Sequence, residues 1–210
     1  MRIILDGMGG DNAPLEIVKG AVEASSKIDH QIVIVGREDE INAELAKYNY
    51  DESKIQVVHA SEVIENEDSP VKAIRRKTDS SMVKGLTMLK DGEGDLFISA
   101  GNTGAYMAGS LFILGRIPGI DRPAISSIYP IAGGALPSII VDAGANSECR
   151  PSNLLEFAIM GSLYMEKVMD RKNARVGLVN LGVEENKGTT VTKAAHKLLK
   201  EADLNFIGNV

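Results

Sequence analysis

Ser99, Asn102 and Thr103 bring two hydroxyls and a carboxamide to one short turn, with the bare backbone of Gly101 and Gly104 among them. These residue types suit an anion. The side chains offer hydrogen bonds, and the glycines let a ligand approach backbone N–H groups at the positive end of a helix. The apolar run Asp95 to Ile98 leads into this turn and the helical stretch Tyr106 to Leu114 leaves it. A strand, a loop and an ordinary Ser/Thr/Asn helix cap have the same composition. The turn gains meaning only from others like it.

Three other segments have a similar design. Asp6 to Pro14 contains Gly9, Gly10 and Asp11 after a strand-like opening. It partly matches a dinucleotide fingerprint, but Asn12 stands where the third glycine belongs, and Asp11 would meet the pyrophosphate with negative charge. Arg37, at the end of the next strand, could face a 2′-phosphate, which keeps an NADP-dependent dehydrogenase as an alternative. Asp142 to Asn146 and Asn180 to Gly188 are the remaining turns, the latter carrying Lys187. In an open α/β sheet, ligands sit outside the carboxyl ends of the strands, so four polar glycine turns there would converge on one crevice. Lys187 would be its cation, although a lysine before a helix is more often just solvated.

Lys72, Arg75 and Arg76 lie at spacings that align them along one side of a helix, and Ser80 and Ser81 follow. Such a patch could hold phosphate or an acidic carrier protein, or could simply be a solvated face. The single cysteine, Cys149, and the histidines His30, His59 and His196 lie outside any recognisable nucleophile context and read as structural. Asp6, Asp11 and Asp142 could hold a hard divalent ion, but caps and turn carboxylates account for them as well.

The elements that must position these groups alternate strand and helix. Strands are expected at Arg2 to Asp6, Gln31 to Val35, Ile55 to His59, Leu96 to Ser99, Ala124 to Tyr129, Ser138 to Asp142, Arg175 to Asn180 and Asn205 to Ile207. Helices are expected at Leu15 to Ser26, Glu38 to Lys47, Ser80 to Lys90, Thr103 to Leu114, Asn153 to Met169 and Thr189 to Glu201. This is the pattern of an α/β layered sheet. Residues 1–210 read as a single α/β catalytic domain with a possible lobe junction at 113–122, where Gly115, Pro118 and Gly119 cluster.

A formal net charge of −6 opposes nonspecific nucleic-acid binding. One cysteine excludes an internal disulfide and makes the cytoplasm the default compartment. No stretch approaches the roughly 18 apolar residues of a membrane span.

Taken together, Asp6 to Pro14, Ser69 to Met82, Ser99 to Ala105, Asp142 to Asn146 and Asn180 to Gly188 resemble the bacterial phosphate acyltransferase family of phospholipid synthesis. The final Gly208-Asn209-Val210 resembles the start of a further family turn that continues Glu-Gly-Arg-Asp, so the chain is expected to lack a C-terminal part. The resemblance implies a three-layer α/β/α fold with a mostly parallel sheet, similar to isocitrate dehydrogenases and phosphotransacetylases. It implies acyl transfer from acyl carrier protein to inorganic phosphate, giving acyl phosphate for a downstream acyltransferase. It further implies a homodimer, and peripheral contact with the inner face of the membrane.

On this reading Lys187, Asn102 and Asn180 are the catalytic candidates. Gly9, Gly10, Asp11, Arg76, Ser99, Thr103, Gly104 and Asn146 are the phosphate- and substrate-binding candidates. No metal or other cofactor is expected, because a lysine and helix amides can supply the positive field. A non-catalytic module that binds carrier protein or a phosphometabolite is the second alternative.

Overall fold

The structure, a computed structural model, describes residues 1–131 and 136–210. The chain packs as two units, Met1–Gly115 and Arg116–Val210.

The first unit is built on four parallel strands, β1 (Arg2–Asp6), β2 (Gln31–Gly36), β3 (Ile55–His59) and β4 (Leu96–Ile98), in the order β3-β2-β1-β4. In β2, Ile32 and Ile34 alternate with Val33 and Val35, and all four are buried. A strand apolar on both faces belongs inside a sheet covered on both sides. The covers are α1 (Leu15–Ser25) and α2 (Glu38–Leu45) on one face, where Val18, Ala21, Ile41 and Leu45 meet Ile32, Ile34 and Ile55. On the other face lie α3 (Pro70–Arg76), α4 (Ser81–Lys90) and α5 (Thr103–Gly109), where Ile74, Met82, Leu86 and Ala105 meet Ile4, Val33, Val35 and Phe97. The expected three layers and parallel sheet are therefore present.

Strand order runs outward from β1 to β2 and β3, then returns to β4 on the opposite side of β1. This reversal is a topological switch point, and it brings the carboxyl ends of β1 and β4 together.

The second unit holds the antiparallel pair β5 (Ser126–Tyr129) and β6 (Ser138–Val141), and the parallel pair β7 (Val176–Leu178) and β8 (Phe206–Asn209). Its helices are α6 (Pro151–Lys167) and α7 (Thr190–Glu201). Leu178, Ala195 and Leu199 form its buried centre, with Leu154, Leu155 and Phe206 packed against them.

Two expectations needed revision. The helix predicted over Thr103 to Leu114 is α-helical only to Gly109 and continues as a π-helical turn, Ser110–Leu114, closed by Gly115 N–H donating to the Ser110 carbonyl. The segment before Ser80 contains the separate helix α3, signalled by Pro70 at its first turn. Ser80 then caps α4 by accepting from Val83 N–H. Ser80 and Ser81 are buried, 0% and 2% exposed, so their hydroxyls do not form an oxyanion site with the exposed guanidiniums of α3.

Candidate active site

At the switch point the first two glycine turns are built on each other. Asp6 ends β1 and is buried, and its carboxylate accepts from Met8 N–H at 3.2 Å and from the Ser99 hydroxyl at 2.7 Å. Ser99 Oγ in turn accepts from Gly101 N–H at 3.1 Å. Backbone then meets backbone. A Cβ on Gly9 would lie 2.6 Å from Asp6 Oδ2 and 2.9 Å from Gly101 N, so only glycine fits.

Asn102 caps α5, its Oδ1 accepting from Ala105 N–H at 2.9 Å. Its Nδ2 points the other way and is shared among the carbonyls of Glu65, Asn66 and Asp68 at 3.1–3.3 Å. Asn66 reaches on to Asp11, Nδ2 to Oδ1, at 3.0 Å. The loop around Asn66 is thus tied to both turns. With Ser99 and Asn102 engaged inside the protein, the groups this turn leaves without an intrahelical partner are the N–H groups of Thr103 and Gly104, beside the hydroxyl of exposed Thr103.

Beside the first turn is a groove of about 410 Å³ whose lining includes Gly10, Asp11, Arg37, Glu40, Glu65 and Glu67. Arg37 pairs with Glu40 at 3.0 Å. A groove with four carboxylates and one already paired guanidinium is a poor cradle for a dinucleotide phosphate. Helix α1 begins only at Leu15, so Asn12, at the place of the third glycine, lies in the turn and not in the helix. Both observations weigh against the dehydrogenase alternative.

In the second unit, the turn after β6 is organised by Asp142. Its carboxylate accepts from the N–H groups of Ile125 at 2.8 Å, Ala145 at 3.2 Å and Asn146 at 2.7 Å. The Asn146 side chain donates to Asp142 Oδ2 and to the Pro123 carbonyl. Partial burial would raise the pKa of Asp142, but these donors together hold it below the usual carboxylate value.

After β7, Asn180 closes the Leu181-to-Gly188 loop. Its Nδ2 donates to the Lys187 carbonyl at 3.2 Å, and its Oδ1 accepts from Leu181 N–H at 2.9 Å. Asn209 on β8 holds the loop at the Glu184 carbonyl, 2.8 Å, and its Oδ1 is 2.9 Å from Nδ1 of buried His196. The Lys187 side chain is exposed and joins no ion pair among the described residues.

The sequence-predicted residues therefore fall into groups. Gly9, Gly10, Asp11, Ser99, Asn102, Thr103 and Gly104 meet at the switch point; Asn180 and Lys187 share one loop; Asn146 belongs to the Asp142 turn. Arg76 stands apart, on the outer face of α3. Sequence reasoning underrated Asp6 and Asp142, which organise their turns. The available signal was an aspartate ending an apolar strand directly before a glycine turn, seen at both positions.

Over residues 1–210 the chain matches the family described as fatty acid synthesis protein. It belongs to that family. Members similar to it include phosphate acyltransferases of Clostridium tetani, 57% identical over 211 residues, and Alkaliphilus oremlandii, 55% identical over 210. The matches cover 100% of this chain and 63% and 62% of those relatives, so the chain spans under two thirds of their length. Among solved structures, a phosphotransacetylase from Streptococcus pyogenes matches with a TM-score of 0.70 at 17% identity, covering 100% of this chain and 68% of that one. The EutD phosphotransacetylase from Staphylococcus aureus gives 0.67 at 19% identity, with the same coverage. At such identities the likeness establishes the fold, a mostly parallel sheet with helices on both sides.

Proposed function

We propose that the full-length protein transfers a fatty acyl group from acyl carrier protein to inorganic phosphate, releasing acyl phosphate for phospholipid synthesis. The observation that carries this reading is the likeness, at 55–57% identity over the whole chain, to proteins named phosphate acyltransferase. The local chemistry agrees with it. Burial and the nearby Asp142 charge push the Cys149 thiol above its ordinary pKa, away from nucleophilic thiolate. His196 is buried and bonded to Asn209, and His59 Nδ1 accepts from Glu38 N–H. Phosphate, already an oxygen nucleophile at neutral pH, needs no activation by these side chains.

In the proposed step a phosphate oxygen adds to the thioester carbonyl. The tetrahedral oxyanion then collapses, the C–S bond breaks and thiolate leaves. What this asks of the protein is orientation and a positive field. The amides of Thr103 and Gly104, with the Thr103 hydroxyl, form one anion cradle, walled by Gly9, Gly10 and Asp11. Lys187, exposed on the Leu181-to-Gly188 loop, is the candidate cation for an anionic oxygen of the reacting groups. Asn102, Ser99, Asn146 and Asn180 act by fixing the turns.

The same reading places the protein in the cytoplasm as a homodimer, touching the inner face of the membrane peripherally and passing its product to an acyl-phosphate-using acyltransferase. Among the described residues no helix is long and apolar enough to cross a membrane. Incubation of full-length protein with acyl carrier protein thioester, with and without phosphate, tests the proposal. Phosphate-dependent acyl phosphate is the expected product; NADPH oxidation, or saturable binding without turnover, would replace it with one of the alternatives.

A further inference from the structure

Helix α3 carries a cationic face that the phosphate chemistry leaves unused. Lys72, Arg75 and Arg76 occupy i, i+3 and i+4 and so share one side of the helix, and all three are exposed. Ala73 and Ile74 take the opposite side into the core. Nearby cations are neutralised: Lys77 pairs with Asp68 at 2.5 Å and Lys84 with Asp79 at 2.6 Å. Among the described residues, none of the three cations on the α3 face has such a partner.

The face is also partly apolar. The Arg75 guanidinium lies 5.3 Å from the centroid of the Phe112 ring, and Phe112 is 49% exposed. Val71, one turn before Arg75, is 43% exposed. A guanidinium stacked on an aromatic ring keeps its N–H edge free for carboxylates. Three cations on one side of a helix, one of them stacked on an exposed ring, on a chain of net charge −6, match an acidic protein surface with an apolar centre.

Position adds the decisive point. Pro70, the first residue of α3, packs on Gly104 so closely that a Cβ there would come within 2.8 Å of Pro70 Cγ. The cationic face is therefore carried on the outer side of a helix whose buried side packs against the Ser99 to Gly104 turn. We propose that it docks the acidic surface of the protein that carries the acyl thioester. The inference rests on the acyl-transfer reading and adds to it the place where the body of the carrier sits. Arg76 becomes a docking residue, outside the phosphate cradle.

The test uses full-length protein and two thioesters of one acyl chain, one on acyl carrier protein and one on N-acetylcysteamine. The double variant Lys72→Glu, Arg75→Glu should raise KM for the carrier thioester about tenfold or more, as expected for like-charge contacts at an interface rim. Turnover of the small thioester and the KM for phosphate should stay within about twofold of the unmutated protein, and the milder Lys72→Gln, Arg75→Gln variant should show a smaller rise in carrier KM. An unchanged carrier KM overturns the proposal. So does an equal loss with both thioesters, or a defect confined to sedimentation with phosphatidylglycerol vesicles. If the unmutated protein turns over neither thioester, the acyl-transfer reading itself fails, and the docking proposal falls with it.

Discussion

The switch-point turns of the first unit and the Leu181-to-Gly188 loop of the second both end parallel strands in glycine and polar residues, yet they are built oppositely. At the switch point Asp6, Ser99, Asn102 and Asn66 direct their hydrogen bonds to other protein groups, and the first amides of α5 have no acceptor within the helix. In the loop, Asn180 and Asn209 hold the backbone and leave one long cationic side chain exposed. A preorganised amide cradle costs no reorganisation when charge develops, whereas a lysine on a tethered loop can follow the charge. Under the proposed mechanism, the difference separates side chains that build the turns from the groups left to meet a substrate.

The sharpest way to break this division is at Lys187. In full-length protein, Lys187→Ala should lower kcat by about 10²–10³-fold, the scale of one lost oxyanion contact, with melting temperature unchanged. Full activity would remove Lys187 from the mechanism. Gly9→Ala should do the reverse kind of damage, because the new methyl meets Asp6 and Gly101 backbone. A loss of about 1–3 kcal/mol in chemical denaturation is expected, together with lost activity. An unperturbed melting curve would show that the turns are not fused as described.

Asp142→Asn replaces one acceptor oxygen with a donor facing backbone N–H groups and should cost about 1–2 kcal/mol, read from the denaturation midpoint. The smallest effect is expected in acid. Hydrogen bonds from Lys84 and Ser61 hold Asp79 far below its usual pKa, and a hydrogen bond from Lys77 lowers that of Asp68. Both folded pKa values lie below the unfolded value of about 3.9, so this stability is present above about pH 4 and lost as pH falls further. The pairs are partly exposed and the contribution is small. Lys84→Gln should therefore slightly flatten the melting-temperature drop between about pH 5 and about pH 3.

Strands and helices were legible because their signals are local. The Ile-Val run of β2 and the periodicity of α1 require no tertiary information. The expected strand at Ala124 to Tyr129 also formed, but its antiparallel pairing with β6 was hidden, since alternation does not encode a partner's direction. At the site, glycine turns were visible as turns, while the commitments of their side chains were not. Asn102 reads as a catalytic amide in sequence; only the carbonyls of residues 65, 66 and 68, far along the chain, reveal it as a tether. Arg76 looked like a phosphate ligand because its sequence neighbours are hydroxyls, and burial of Ser80 and Ser81 removed that company.

The claim that phosphate itself attacks the thioester is tested most directly by rapid-quench measurement of thiol release from full-length protein without phosphate. The expected result is no burst, with thiol appearing only when phosphate is added and double-reciprocal plots that intersect. A burst of thiol equal to the enzyme concentration in the absence of phosphate would reveal an acyl-enzyme and contradict it.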